Sequence, residues 1–188
     1  MLVLRYISIV LISLVSLTSL AQITYSPELD LLNESSLQLS GANSTGGLVF
    51  IDQLGDNNTA EVEQRRQRTQ TNETRVLQRG DDNRATLQQA GTNNRVALLQ
   101  KGYDNRYSLD LTGVNTDLAV VQNGDRNEVR QRLENTRDVR LEFIQNGDAN
   151  LIEYEVEGLQ SKGLRIIQDG SNMQLIINKT TALSPSGS

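Results

Sequence analysis

The chain has 188 residues, a formal net charge of −5, 4% aromatic residues, and neither histidine nor cysteine. Those absences exclude a disulfide framework, the usual zinc-ligand sets and both Ser-His-Asp and Cys-His catalysis. The acidic balance argues against nucleic acid as a partner, and so few bulky side chains argue against a conventional large core.

In chain order, residues 1–21 have the form of an export signal. Arg5 supplies the positive start, residues 7–17 form an apolar run too short to span a bilayer, and Ser19-Leu20-Ala21 is a small-x-small cleavage site. The mature chain is expected to begin at Gln22, and no later segment has the length and apolarity of a transmembrane helix. Residues 22–46, with Pro27 and several acids, are expected to form a flexible segment with at most a weak strand at 33–39.

From 47 to 179 one pattern dominates. Gln78-x-Gly80-x-x-Asn83 recurs as Gln53/Gly55/Asn58, Gln89/Gly91/Asn94, Gln100/Gly102/Asn105, Gln122/Gly124/Asn127 and Gln145/Gly147/Asn150. Gln168/Gly170 closes the series with Met173 in the Asn place, while Gly113 and Gly158 keep the beat where the amides are lost. Glycines 80, 91, 102, 113 and 124 are eleven residues apart. A fixed period of this kind marks stacked units that cannot bury their faces alone. Residues 180–188 are expected to form a disordered tail.

Between the glycine turns lie runs of about seven residues with period-two alternation, such as Asn83-Arg-Ala85-Thr-Leu87-Gln-Gln89. This predicts strands at 47–53, 58–64, 72–78, 83–89, 94–100, 105–111, 116–122, 127–133, 139–145, 150–156, 162–168 and 172–178. Because the turns share one phase, they read as arcs rather than hairpins. The fold class is therefore all-β: a β-solenoid of about six two-strand rungs, spaced about 4.8 Å apart. Gly55, Gly80, Gly91, Gly102, Gly113, Gly124, Gly147, Gly158 and Gly170 are the expected turn glycines.

In this register the inward residues at the strand ends are Gln53, Asn58, Gln64, Asn72, Gln78, Asn83, Gln89, Asn94, Gln100, Asn105, Gln122, Asn127, Gln145, Asn150 and Gln168. A buried amide is costly unless its donors and acceptors are met. A column of identical amides meets them up and down the stack. The outward positions separate into an apolar seam, Leu77, Leu99, Val121, Ile144 and Ile167, and a charged row, Glu63, Gln88, Asp110, Arg132 and Glu155. Glu73, Arg95, Asp117 and Arg140 alternate in sign up the stack. The seam is a candidate for lateral packing between fibres or for partner docking.

The motif Gln78-x-Gly80-x-x-Asn83-x-Ala85-x-x-x-Gln89 resembles the repeat of the curlins, the subunits of bacterial curli amyloid fibres. Gln53-x-Gly55-x-x-Asn58-x-Ala60-x-x-x-Gln64 resembles it too, and the likeness covers roughly residues 47–178. It implies a secreted subunit that polymerises with itself and other curlin subunits at the cell surface. It also implies passage through a dedicated outer-membrane channel with accessory proteins, and a targeting role for 22–46. Leu111, Leu133 and Val156 depart from the pattern at Gln positions, and Asp138 or Val139 and Met173 at Asn positions. These breaks, the frequent arginines and the longer loops before Asn72 and Val139 lean the resemblance toward the minor, nucleating curlin.

Other chemistry is weak. Glu61/Glu63 and Glu153/Glu155 imply no pocket, so no enzyme is expected, and no cofactor. The Gly-Asp turns lack calcium-binding spacing, and Arg65, Arg66 and Arg68 read as a solvated loop before a polyanion site. Asn-x-Ser/Thr triplets at Asn33, Asn43, Asn57, Asn72 and Asn178 carry no glycosylation reading. The alternative function is a monomeric secreted β-solenoid adhesin or binding module. Isolated outward threonines disfavour an ice binder, and uniform turns disfavour an outer-membrane barrel.

Overall fold

Alternation buries one side of each strand, and repetition at a constant step sets equivalent strands side by side. The computed structural model describes residues 47–64, 72–157 and 163–178, where all regular structure is β. The strands are β1 Leu48–Leu54, β2 Thr59–Glu61, β3 Glu73–Arg79, β4 Arg84–Thr86, β5 Arg95–Lys101, β6 Leu111–Asn123, β7 Leu133–Asn146, β8 Leu151–Ile152, β9 Leu164–Asp169 and β10 Gln174–Leu175.

One face of the molecule is a six-stranded sheet in the order β1-β3-β5-β6-β7-β9, with every neighbouring pair parallel. The other face holds the parallel pairs β2-β4 and β8-β10. Single bridges Arg84–Arg106, Arg106–Glu128 and Glu128–Leu151 join them into one column. The chain therefore winds as a β-solenoid, and the six strands of the first sheet correspond to about five turns from β1 to β9.

Between the faces lies the main core. Val76, Leu98, Val120 and Phe143 meet Ala85, Leu87, Tyr107, Leu109, Val129, Ile152 and Tyr154 there. Phe143 and Tyr154 pack edge to face with centroids 5.3 Å apart, the geometry aromatic quadrupoles favour. A second, smaller cluster of Leu77, Ala97, Leu99, Val121 and Ile144, with Phe50 against it, forms apart from this core.

The two faces differ from expectation in opposite ways. On the second face the predicted seven-residue strands shrink to two or three residues, and those at 105–111 and 127–133 reduce to bridges at Arg106 and Glu128. Burial still alternates there, with Asn105, Tyr107, Leu109 and Leu111 all buried. Left-handed φ values of 84°, 71° and 57° at Asp110, Gln131 and Tyr154 interrupt the extended ladder at those points, whereas Gln64 and Gln89 still bridge. On the first face β6 and β7 are longer than expected, because Val114 pairs with Arg137 and Thr116 with Val139 across the intended corners.

Gly113 was expected at a turn and instead lies within β6, outside the left-handed region. Asp110, Leu111, Thr112 and Asn115 turn the chain there. Glycine serves this position through space, since a Cβ would collide with Thr136 Oγ1. Residues 1–46, Arg65, Arg66, Arg68, Gly158 and the expected tail 180–188 lie outside the described residues.

Candidate functional site: buried amide ladders and open ends

The period-two pattern delivers one glutamine to the inner side of each strand of the first sheet, just before the turn. Gln53, Gln78, Gln100, Gln122, Gln145 and Gln168 share one register row. Each Nε2 donates to Oε1 of the next: Gln53 to Gln78 at 2.6 Å, Gln78 to Gln100 at 2.7 Å, Gln100 to Gln122 at 2.9 Å, Gln122 to Gln145 at 3.0 Å and Gln145 to Gln168 at 2.8 Å. The second N–H crosses the core to the opposite face, as from Gln100 to Arg84 O and from Gln168 to Leu151 O. Both donors of the amide are thus met, which is what permits its burial.

Across the turn stands a second column, Asn58, Asn83, Asn105, Asn127 and Asn150. The Oδ1 of each of the first four accepts both the backbone N–H and the side-chain Nδ2 of the next asparagine, at 3.0–3.2 Å. Each Nδ2 donates to the carbonyl of the following turn glycine: Gly80, Gly102, Gly124, Gly147 and Gly170 in order. Gly55, Gly80, Gly102, Gly124, Gly147 and Gly170 take φ values of 104–147°, and Gly91 takes 70°. At Gly80 a Cβ would also collide with the Gly102 carbonyl, so backbone angle and close approach both demand glycine.

The remaining predicted amides form shorter columns at the far corner. Gln64 donates to Gln89 at 3.0 Å, and Gln89 donates onward to Asn94 O. There the glutamines end, and Leu111 pairs with Leu133 in their place. Asn72 Oδ1 accepts from Asn94 N, and Asn94 Oδ1 from Thr116 N.

Several members of this network were not read from the sequence. Thr74 Oγ1 accepts from Gln64 and donates to Gln89, and Thr116 and Thr136 share a hydrogen bond of 2.7 Å. Gln131 is buried and accepts from the Tyr107 hydroxyl at 3.2 Å, while its Nε2 has no partner among the described residues. Its place, four residues after Asn127 in the alternation, would have marked it as inward. The turn carboxylates form a further column: Asp81 Oδ1 accepts from Asp56 N, Asp125 from Tyr103 N and Asp148 from Asp125 N. Burial pushes the Tyr107 hydroxyl far above the usual tyrosine range, and the charge of Asp82 raises that of Tyr103.

Of the apolar seam, Leu77, Leu99, Val121 and Ile144 are buried in the smaller cluster, and Ile167 is 47% exposed. In the alternating row Arg95 pairs with Glu73 at 3.1 Å and Arg140 with Asp117 at 4.0 Å. On the charged face Arg132 reaches Glu134 and Glu155, and Arg130 reaches Glu128 and Glu153. Among the described residues, no group of three or more acidic side chains gathers to hold a metal ion, and no helix is long and apolar enough to cross a membrane.

Among the described residues, the outer edges of β1 and β9 pair with no further strand. Val49, Ile51 and Gln53 share rows with Thr74, Val76 and Gln78, yet Val49 and Ile51 are each 41% exposed, and among the described residues no strand pairs with the other edge of β1. At the other end β9 and β10 are the last strands among the described residues, and Met173 is exposed.

Residues 69–102 and 80–110 match the curlin associated repeat. The matched stretch contains the ladder residues Gln78, Asn83, Gln89, Asn94, Gln100 and Asn105. Comparison with curated proteins and with solved structures gave no match.

Proposed function

We propose that this chain is a secreted subunit of extracellular curli-type amyloid fibres at the bacterial cell surface, and that it is of the minor, nucleating type. The reading rests above all on the six-glutamine column, which runs the length of the first sheet and ends, among the described residues, at the edge strands β1 and β9 with Gln53 and Gln168. An open edge offers unpaired backbone donors and acceptors, and an incoming rung of the same spacing completes them. The amide columns set the register of that addition, and the turn glycines let the arcs stack closely.

In this reading 1–21 is the export signal, 22–46 the targeting segment and 47–179 the fibre core. Partners are further curlin subunits, with the outer-membrane channel and its accessory proteins acting before assembly. The curlin repeat and the solenoid fold belong to a structural, non-enzymatic class, which favours assembly over catalysis. The interruptions at Leu111, Leu133, Val156 and Met173 favour the nucleating type over a major subunit.

Incubating the purified chain tests the assembly reading. Thioflavin-positive fibres with a meridional reflection near ~4.8 Å are expected. A soluble monomer that stays β-folded for days would overturn it and point to a monomeric binding module. Substoichiometric amounts are expected to accelerate a major curlin, and failure to do so would return this chain to the major type.

A further inference from the structure

Within the described residues every step from one asparagine to the next, Asn58 to Asn83 through Asn127 to Asn150, carries three side-chain hydrogen bonds. Two arrive at Oδ1 of the earlier residue, and one leaves its Nδ2 for the next turn glycine. The step from Asn150 to Met173 keeps only the bonds that Asn150 supplies, through Met173 N and Gly170 O. A rung placed beyond Met173 would receive none, because a thioether offers neither the Oδ1 acceptor nor the Nδ2 donor. The glutamine column has no such gap: among the described residues Gln168 has an N–H left to donate onward and Gln53 an Oε1 left to accept.

The two ends of the solenoid are therefore unequal. Resting on the fibre reading above, we infer that the β1–β2 end is the binding edge and the β9–β10 end the terminating one. The β1–β2 end takes a repeat solenoid whose last rung carries Gln and Asn at the places of Gln168 and Met173. A second copy of this chain is the poorer neighbour: its Met173 would leave the Asn58 N–H and the Gly55 carbonyl without the partners that Asn83 N and Gly80 O have. Polar groups covered without a partner cost more than the bond they forgo, so the junction between copies is the weak step of a homopolymer.

The test uses Met173→Asn as the probe for the preferred partner and Met173→Leu as the control that keeps the bulk without the amide. Preformed seeds of wild type, Met173→Asn and Met173→Leu are offered wild-type chain, with circular dichroism confirming equal β content. The Met173→Asn seeds are expected to take up the first layer of wild-type chain roughly 10-fold faster or more. Growth should then fall back to the wild-type rate, because each added chain presents Met173 again. Met173→Leu seeds should behave as wild type. Equal initial rates for the Asn and Leu seeds would overturn the inference and leave the fibre reading standing. If no variant forms fibres, the fibre reading fails and this inference fails with it.

Discussion

Gln100 Nε2 donates to Gln122 Oε1 at 2.9 Å, and both side chains are wholly buried although they lie 22 residues apart in sequence. Neither amide could occupy this interior alone, and each is tolerated because the other completes it. Gln100→Leu tests that mutual dependence. It leaves Gln78 Nε2 short of its acceptor and Gln122 Oε1 without its donor. Each orphaned group costs about 1–3 kcal/mol, so the denaturant midpoint should drop clearly. An unchanged midpoint would show that the column contributes no stability.

The glycines separate into strained and unstrained sites. Gly80 has φ 105°, and a Cβ there would collide with the Gly102 carbonyl. Gly163 is outside that region, and its nearest neighbour, Arg140 O, would lie 3.7 Å away. Gly80→Ala is expected to destabilise by more than about 2 kcal/mol, whereas Gly163→Ala should stay within about 0.5 kcal/mol. Thermal unfolding of the two variants side by side measures the contrast.

Asp125 Oδ1 accepts the Tyr103 backbone N–H at 2.9 Å, so a turn acid acts as structure as well as solvating charge. Asp125→Ala should cost about 0.5–1.5 kcal/mol. Asp125→Asn, which keeps the acceptor, should recover most of that loss. Equal effects of the two substitutions in chemical denaturation would assign the loss to charge.

Burial raises the Tyr107 hydroxyl far above its ordinary value of 10.0. The unfolded chain therefore releases this proton first. Stability from Tyr107 is fully present below pH about 10 and is lost as pH climbs toward the folded value. Tyrosinate absorbance should show Tyr107 ionising only together with loss of β-structure, and Tyr107→Phe should flatten the alkaline decline.

The first sheet was readable because its strands keep a strict two-residue period, and a one-residue slip would turn Gln78, Gln100 and Gln122 out of the core. The row that pairs Gln53 with Gln78 and ends at Gln168 follows directly from that period. The second face was readable in burial but not in length. The left-handed backbone at Gln131 and Tyr154 has no local sequence pattern to announce it. Gly113 misled for the same reason: the beat was right, but its requirement comes from Thr136 in the next level.

Spacing alone determined which residues face inward, that equivalent strands stack in parallel, and that Gln and Asn stand at the strand ends. These are consequences of two periods, two residues and about 22, and a period is a property of sequence. Only the tertiary structure decided the direction of each amide bond, the burial of Leu99 and Val121 in a second cluster, the acceptor role of the turn carboxylates and the unequal ends of the Asn58 to Met173 column. Hydrogen-bond polarity and burial depend on which atoms of distant residues meet, and that is set when the levels close on one another.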